Sequence, residues 1–270
     1  MSDIIAVVTS TPSSMHNAEP ALLSILSQTQ QPSVFRWHLP KFFKRTQNFY
    51  DPVPQWVRKY PQIEIINCED DGPITKVTPI LDDIGHKRLI IFDDDVVYHP
   101  NTIEILDRAQ RTKPNSVVGT IGHTFKYVPF HTSKRQAFGS QAGISWFNQV
   151  SVLLGTGMLL IPSDFFGKLN RTKLMQLVDT DSGFALNDDH TIAHLAFVAQ
   201  IPMFVVPCPD ATPYVQNQLC LTGTNATMQL EIRMLFHRKL TLPTAEILAA
   251  IVIVFLLVKF CKQVVLQKLA

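Results

Sequence analysis

Apolar residues fill positions Ile4 to Val8 and give way to Thr9, Ser10, Thr11 and Pro12. A short apolar, β-branched run that stops at turn formers predicts a buried strand ending in a loop. Between Asn17 and Gln28 the spacing changes: Ala21, Leu22, Ile25 and Leu26 recur at helical intervals. Asn17 is available as a cap, Pro20 falls in a first turn that tolerates it, and Gln31 with Pro32 ends the helix. Val34 to Leu39 and Ile63 to Ile66 predict two further strands, with a Pro- and aromatic-rich stretch from Pro40 to Pro61 between them. Lys76 to Ile84 reads as a helix and Arg88 to Phe92 as a strand, followed by a helix over Asn101 to Gln110 and a strand over Ser116 to Ile121. Residues 122–150 fit neither period. Rich in Gly, Gln, His and aromatics, they suit a segment lining a cleft. Val152 to Ile161 predicts a strand that contains Gly155 and Gly157. Helices over Asp164 to Leu177 and Asp189 to Ala199, the second with one apolar face, precede a last strand at Met203 to Val206.

Strand alternating with helix favours an α/β domain built on a mostly parallel sheet flanked by helices. No internal repeat or low-complexity linker interrupts it, so one domain is expected over residues 1–235. A different pattern follows. Ile247 to Val258 is twelve consecutive apolar residues, about 18 Å as a helix against a hydrocarbon core of about 30 Å. Extended over 240–261 the segment reaches about 33 Å, at the cost of including Pro243, Glu246 and Lys259. A C-terminal hydrophobic helix, transmembrane or membrane-associated, is the expectation for 240–261. With no basic leader before Ile4, the catalytic domain is expected on the cytosolic side.

Composition narrows the classes of function. The 270 residues are 46% apolar, enough for a large core, and 24 Lys and Arg nearly balance 22 Asp and Glu. Without basic blocks interleaved with aromatics, a nucleic-acid partner is not expected. Four cysteines, Cys68, Cys208, Cys220 and Cys261, show no C-x-x-C spacing and are too few to staple a chain of this length.

The candidate chemistry lies in two acidic clusters. Asp93, Asp94 and Asp95 directly follow the apolar run Leu89 to Phe92, at the carboxyl end of a strand, where open α/β sheets place their ligands. Like charges so close raise one another's pKa, and a divalent cation relieves that repulsion. Carboxylates that leave coordination positions open suit Mg2+ or Mn2+. A solvated acidic turn is the alternative. Asn187-Asp188-Asp189-His190 forms the second cluster at a helix start, where aspartates also serve as simple caps. His190 and His194 are four apart, but Thr191 stands where a zinc protease needs Glu, so the pair is read as incidental. Gly155-Thr156-Gly157 lacks the third glycine of a dinucleotide fingerprint; close approach to a sugar or strand packing explains it. Trp146 and Phe147 could stack on a sugar or belong to the core.

Several blocks occur here in an order that resembles glycosyltransferases of the GT-A type: Val8-Thr9-Ser10-Thr11-Pro12, Ser24-Ile25-Leu26-Ser27-Gln28-Thr29, Glu69-Asp70-Asp71-Gly72-Pro73-Ile74-Thr75-Lys76, the aspartate triplet, and Asn187 to His190. The likeness is to family-two-like members with a G-P-x-T-K block before the D-D-D strand and covers roughly residues 4 to 206. It implies a Rossmann-like GT-A domain that moves a sugar from a nucleotide-sugar donor to an acceptor hydroxyl. Carried over by residue, it implies that Thr9 and Thr11 line the nucleotide pocket, that Asp70 or Asp71 contacts base or ribose, and that Lys76 faces the diphosphate. Asp93 and Asp95 would hold the metal, Mn2+ or Mg2+, with Asp93 and Asp94 beside the donor and Gly157 at the sugar. Asp189, or alternatively Asp188, would be the base of an inverting displacement. A metal-dependent hydrolase or nucleotidyltransferase, and a non-catalytic sugar-nucleotide-binding protein, remain the competing readings.

Overall fold

The computed structural model describes residues 2–128, 131–138, 148–155, 158–167, 171–180, 187–207 and 214–215. Gly157, Trp146, Phe147 and the segment 240–261 lie outside the described residues. The chain divides into two units, Met1–Thr227 and Met228–Ala270, and everything described belongs to the first.

Eight strands form the main sheet: β1 (Ile4–Thr9), β2 (Val34–Pro40), β3 (Ile63–Cys68), β4 (Arg88–Ile91), β5 (Val117–Gly119), β6 (Asn148–Val150), β7 (Leu159–Ile161) and β8 (Met203–Val205). Their order across the sheet is β6-β8-β5-β7-β4-β1-β2-β3. The half that starts the chain is parallel: β1 pairs with β2 and β4, and β2 with β3. In the other half β8 runs parallel to β5, while β7 is antiparallel to both β4 and β5, and β6 to β8. Parallel strands covered on both faces must be apolar throughout, and Ile4 to Val8 and Leu89 to Phe92 are accordingly at most 1% exposed. Helix α1 (Glu19–Leu26) buries Ala21, Leu22 and Ile25, and α2 (Thr102–Thr112) buries Ile103, Leu106 and Ala109, all in one core with Trp37 and Phe92.

After β3 the strand order crosses back over β1 to β4. The carboxyl ends of β1 and β4 therefore flank the point where winding reverses, the usual crevice for a ligand. Thr9 to Thr11 leave one side of it, and the aspartate triplet leaves the other.

Four local expectations change. The expected helix from Lys76 to Ile84 is two short 3-10 turns, Gly72–Lys76 and Thr78–Ile80. Pro73 and Pro79 remove amide donors that an α-helical ladder would need, and three-residue bonds such as Val77 N–H to Ile74 O replace it. Asn17 does not cap α1: it ends a 3-10 turn, and α1 begins after Ala18 without a side-chain cap. The single strand expected over Val152 to Ile161 is split, with Val152–Leu153 joining a three-stranded sheet beside Ile121–Val128 and His131–Phe138 while β7 stays in the main sheet. The segment that fitted neither period thus contains an antiparallel hairpin, Ile121–Val128 with His131–Phe138. Finally, the helix expected from Asp164 is a 3-10 turn, Ser163–Phe165, followed by α3 (Arg171–Thr180).

Candidate active site

The triplet is aimed by the residue five places after its start. Tyr98, buried, packs its ring edge-on against Phe92 at 4.7 Å and accepts a hydrogen bond from Asp93 N–H at 2.7 Å. This bond fixes the backbone at the strand's end, so the three carboxyl groups diverge. Asp93 meets the ammonium of Lys76. Asp94 is held against the hydroxyls of Ser10 and Ser14, yet burial outweighs them and raises its pKa, and its Oδ2 is buried with no hydrogen-bond partner. Asp95 is pushed up to about 6 by burial first, then by the charges of Asp93 and Asp94.

Lys76 reaches the triplet because the block before it is fastened at every turn. Gly72 adopts φ 70°, a conformation open to glycine, and its N–H donates to Asp70 Oδ1 at 2.9 Å. Asp70 Oδ2 accepts from Lys44 N–H at 2.7 Å, and Asp71 Oδ2 from Arg171 at 3.1 Å. Asp71 N–H donates to Thr75 Oγ1 at 2.9 Å, while Thr75 O takes a bond from His38 Nδ1 at 2.8 Å. At the end of this scaffold the Lys76 side chain is 8% exposed, and its Nζ bonds both Asp93 and, at 2.9 Å, Asp188 Oδ2. Burial alone would lower its pKa; the Asp188 and Asp93 charges outweigh that and raise it well above the ordinary value, so it is a fixed cation.

Asp188 and Asp189 open helix α4 (Asp188–Val198), which is capped by Asn187, whose side chain accepts from His190 N–H at 2.9 Å. With the cap supplied by Asn187, neither aspartate is needed for that task. Asp189 Oδ1 instead accepts from Gly155 N–H at 2.7 Å. Its pKa is raised well above the carboxylate range, by burial first and then by the charges of Asp188 and Asp93. A Cβ at Gly155 would lie 3.2 Å from Asp189 Oδ1 and 3.3 Å from Asp93 Oδ1, so only a bare backbone lets both acids approach this point. The helix is buried round most of its circumference, from His190 to His194 without interruption, and does not have the single apolar face expected of it. Three segments far apart in sequence thus converge: the end of β4, the start of α4, and Lys76.

The remaining expected residues lie beside this cluster. Thr9 Oγ1 donates to His38 O at 2.8 Å, tying β1 to β2, and Thr11 shares hydrogen bonds with Ser14 in its own loop. Tyr50, from the aromatic stretch, donates to Ser10 O at 2.9 Å. A cavity of about 490 Å3 opens at Asp70 and Asp71, lined also by Lys41, Lys44, Asn67 and Arg171. Tyr98, Arg171 and Tyr50 are the members that sequence reasoning missed, and none carried a readable signal; Asn187 was read as part of the acidic block but not as the helix cap.

Among the described residues, no three Asp, Glu, His or Cys side chains converge as a ready-made metal cage. An all-protein cage is not what Mg2+ or Mn2+ needs, since such ions are held by one or two carboxylates with substrate phosphates and water completing the shell. The orphaned Asp94 Oδ2 and the raised pKa of Asp95 are what an acidic turn shows when a balancing cation fits it.

No family model matches the chain, and no curated protein does. Among solved structures, the crystal structure of GalNAc-T7 with UDP, GalNAc and Mn2+ is similar with a TM-score of 0.53 at 11% identity, covering 86% of this chain and 48% of that one. The chain therefore spans about half the length of that protein. At this identity the likeness is one of fold, and the fold is GT-A.

Proposed function

We propose that the chain transfers a sugar from a nucleotide-sugar donor to an acceptor hydroxyl, with inversion at the anomeric carbon and with Mn2+ or Mg2+ at Asp93 and Asp95. The observation that carries this reading is the meeting of two acidic clusters about Lys76 and Gly155, at the carboxyl ends of β1 and β4. The fold it shares with a protein crystallised with UDP, GalNAc and Mn2+ supports sugar transfer in general.

In this reading the nucleoside lies against Thr9, Thr11 and the cavity at Asp70 and Asp71. A bound divalent cation would offset charge on the departing diphosphate. The acceptor oxygen forms its bond to the anomeric carbon as the bond to the diphosphate breaks, and the electron pair leaves with the nucleoside diphosphate. The acceptor's proton passes to a carboxylate. Asp189 suits that task better than Asp188, because Asp188 is ion-paired to Lys76 whereas Asp189 is held through Oδ1 by the Gly155 N–H.

Incubation with UDP-, GDP- and dTDP-sugars and Mn2+ tests the proposal by following nucleoside diphosphate release against acceptor modification. Release in step with a glycosylated product of inverted configuration is expected, with Asp189→Asn slowing turnover by about 10² to 10⁴ while donor binding persists. Release without any glycosylated product would assign the site to hydrolysis. Unchanged turnover in Asp189→Asn would remove the base.

A further inference from the structure

Lys76 holds Asp93, one of the two carboxylates proposed above to bind the divalent cation. Its ammonium is in direct contact with Asp93, the first carboxylate of the triplet, and is shared with Asp188 across the crevice. The Lys76 side chain is 8% exposed, and its direct contact with Asp93 leaves no space for an ion between the two groups. The scaffold that delivers it is rigid at its base, through Thr75, Asp71 and Gly72, but a lysine's four-carbon stem lets the charge itself relocate.

Resting on the glycosyl-transfer reading above, we propose that Lys76 is an internal counter-ion that competes with the divalent cation for Asp93 and is handed to the donor's diphosphate when cation and donor load together. In the donor-free protein the ammonium balances Asp93 and Asp188 and keeps the cation weakly bound. A diphosphate offers the lysine an alternative partner, so donor and cation strengthen each other's binding, as reciprocal linkage requires. Departure of Lys76 also frees Asp188 beside the base. Loading thereby changes the charge at both acidic clusters in one event.

Calorimetric titration of the full-length protein with Mn2+ alone, without any nucleotide, tests the competition directly. Lys76→Met removes the charge at nearly constant length and should raise Mn2+ affinity about tenfold or more, the scale of releasing a buried, contacting charge. It should also lower the melting temperature without metal and restore much of it with Mn2+. Lys76→Gln, which keeps a donor to the carboxylates, serves where the methionine variant fails to fold. Arg111→Met is the control: it deletes a surface cation paired to Asp107 on α2, outside the site, and should leave Mn2+ affinity within about twofold of wild type. Unchanged or weaker Mn2+ binding in a folded Lys76 variant overturns the proposal, and so does an equal gain in Arg111→Met, which would reduce the effect to overall charge. Because the readout is metal binding, it is separable from the transfer reaction. A protein that turns over donor while Lys76→Met leaves Mn2+ affinity unchanged keeps the proposed function and loses the competition.

Discussion

His38 shows how a buried titratable group can support a site without joining it. It is 0% exposed, donates from Nδ1 to Thr75 O, and its Nε2 has no partner. Burial, the largest cause, lowers its pKa to about 4; the bond to Thr75 opposes this and the Arg36 charge adds to it. The unfolded chain, with an ordinary histidine near 6.5, binds a proton between those two values that the folded chain does not. The stability contributed is therefore complete above about pH 6.5 and lost as pH falls toward 4, by at most about 3 kcal/mol. Denaturant melts from pH 7 to 4 should show a steeper loss in wild type than in His38→Asn, which keeps a donor to Thr75 O but cannot be protonated. Parallel curves would mean that the ring is hydrated or already charged. Lys76 and the aspartates were readable as residue types in sequence, because three acids after an apolar strand demand a cation. That the demand is met by Lys76 was not readable, since it depends on bringing Asp188 to a lysine 112 positions earlier.

At the scale of elements, strands and helices with a clean period were legible: β1, β2, β4 and α2 lie where the spacing puts them, and α4 lies there too although the one apolar face expected of it is absent. The failures are local and share a cause. Prolines at 73 and 79 deny α-helical bonding to an apolar stretch, and Met158, at φ 56°, turns the chain between two strands that periodicity joins into one. That turn brings Gly155 N–H to Asp189, so a break in pattern coincides with the site. The start of α4 matters in the same way, because Asn187 holds the first turn that presents both aspartates. Asn187→Ala should cost about 1 kcal/mol of stability, within the usual range for a lost cap, and Asn187→Ser should recover most of it. Urea denaturation of the three proteins checks this. Equal midpoints would show that the first turn stands without its cap, and that Asp188 and Asp189 are positioned by Lys76 and Gly155 alone.

For the whole molecule, strand alternation was enough to indicate a mostly parallel sheet, but not the antiparallel β7 and β6 that extend it beyond β4. Short apolar strands carry no mark of direction, so the order β6-β8-β5-β7-β4-β1-β2-β3 emerges only from the fold. The second unit, Met228–Ala270, contains the apolar run Ile247 to Val258 and lies outside the described residues. Among the described residues, no helix is long and apolar enough to cross a membrane. We propose that residues 240–261 attach the protein to a membrane, because the run has no polar position from Ile247 to Val258, whereas a helix lying on a globular surface keeps a polar face. Lys259 and Lys262 follow it, and Arg238 and Lys239 precede it, so cations flank both ends, where lysine stems can extend to the interface. The full-length chain is then expected to sediment with membranes until detergent is added. A chain ending at Lys239 should stay in solution without detergent and release nucleoside diphosphate at the full-length rate, since the site is assembled from Met1–Thr227. If the shortened chain aggregates or loses turnover while the full-length protein is soluble unaided, the run is instead a core helix that the catalytic domain requires.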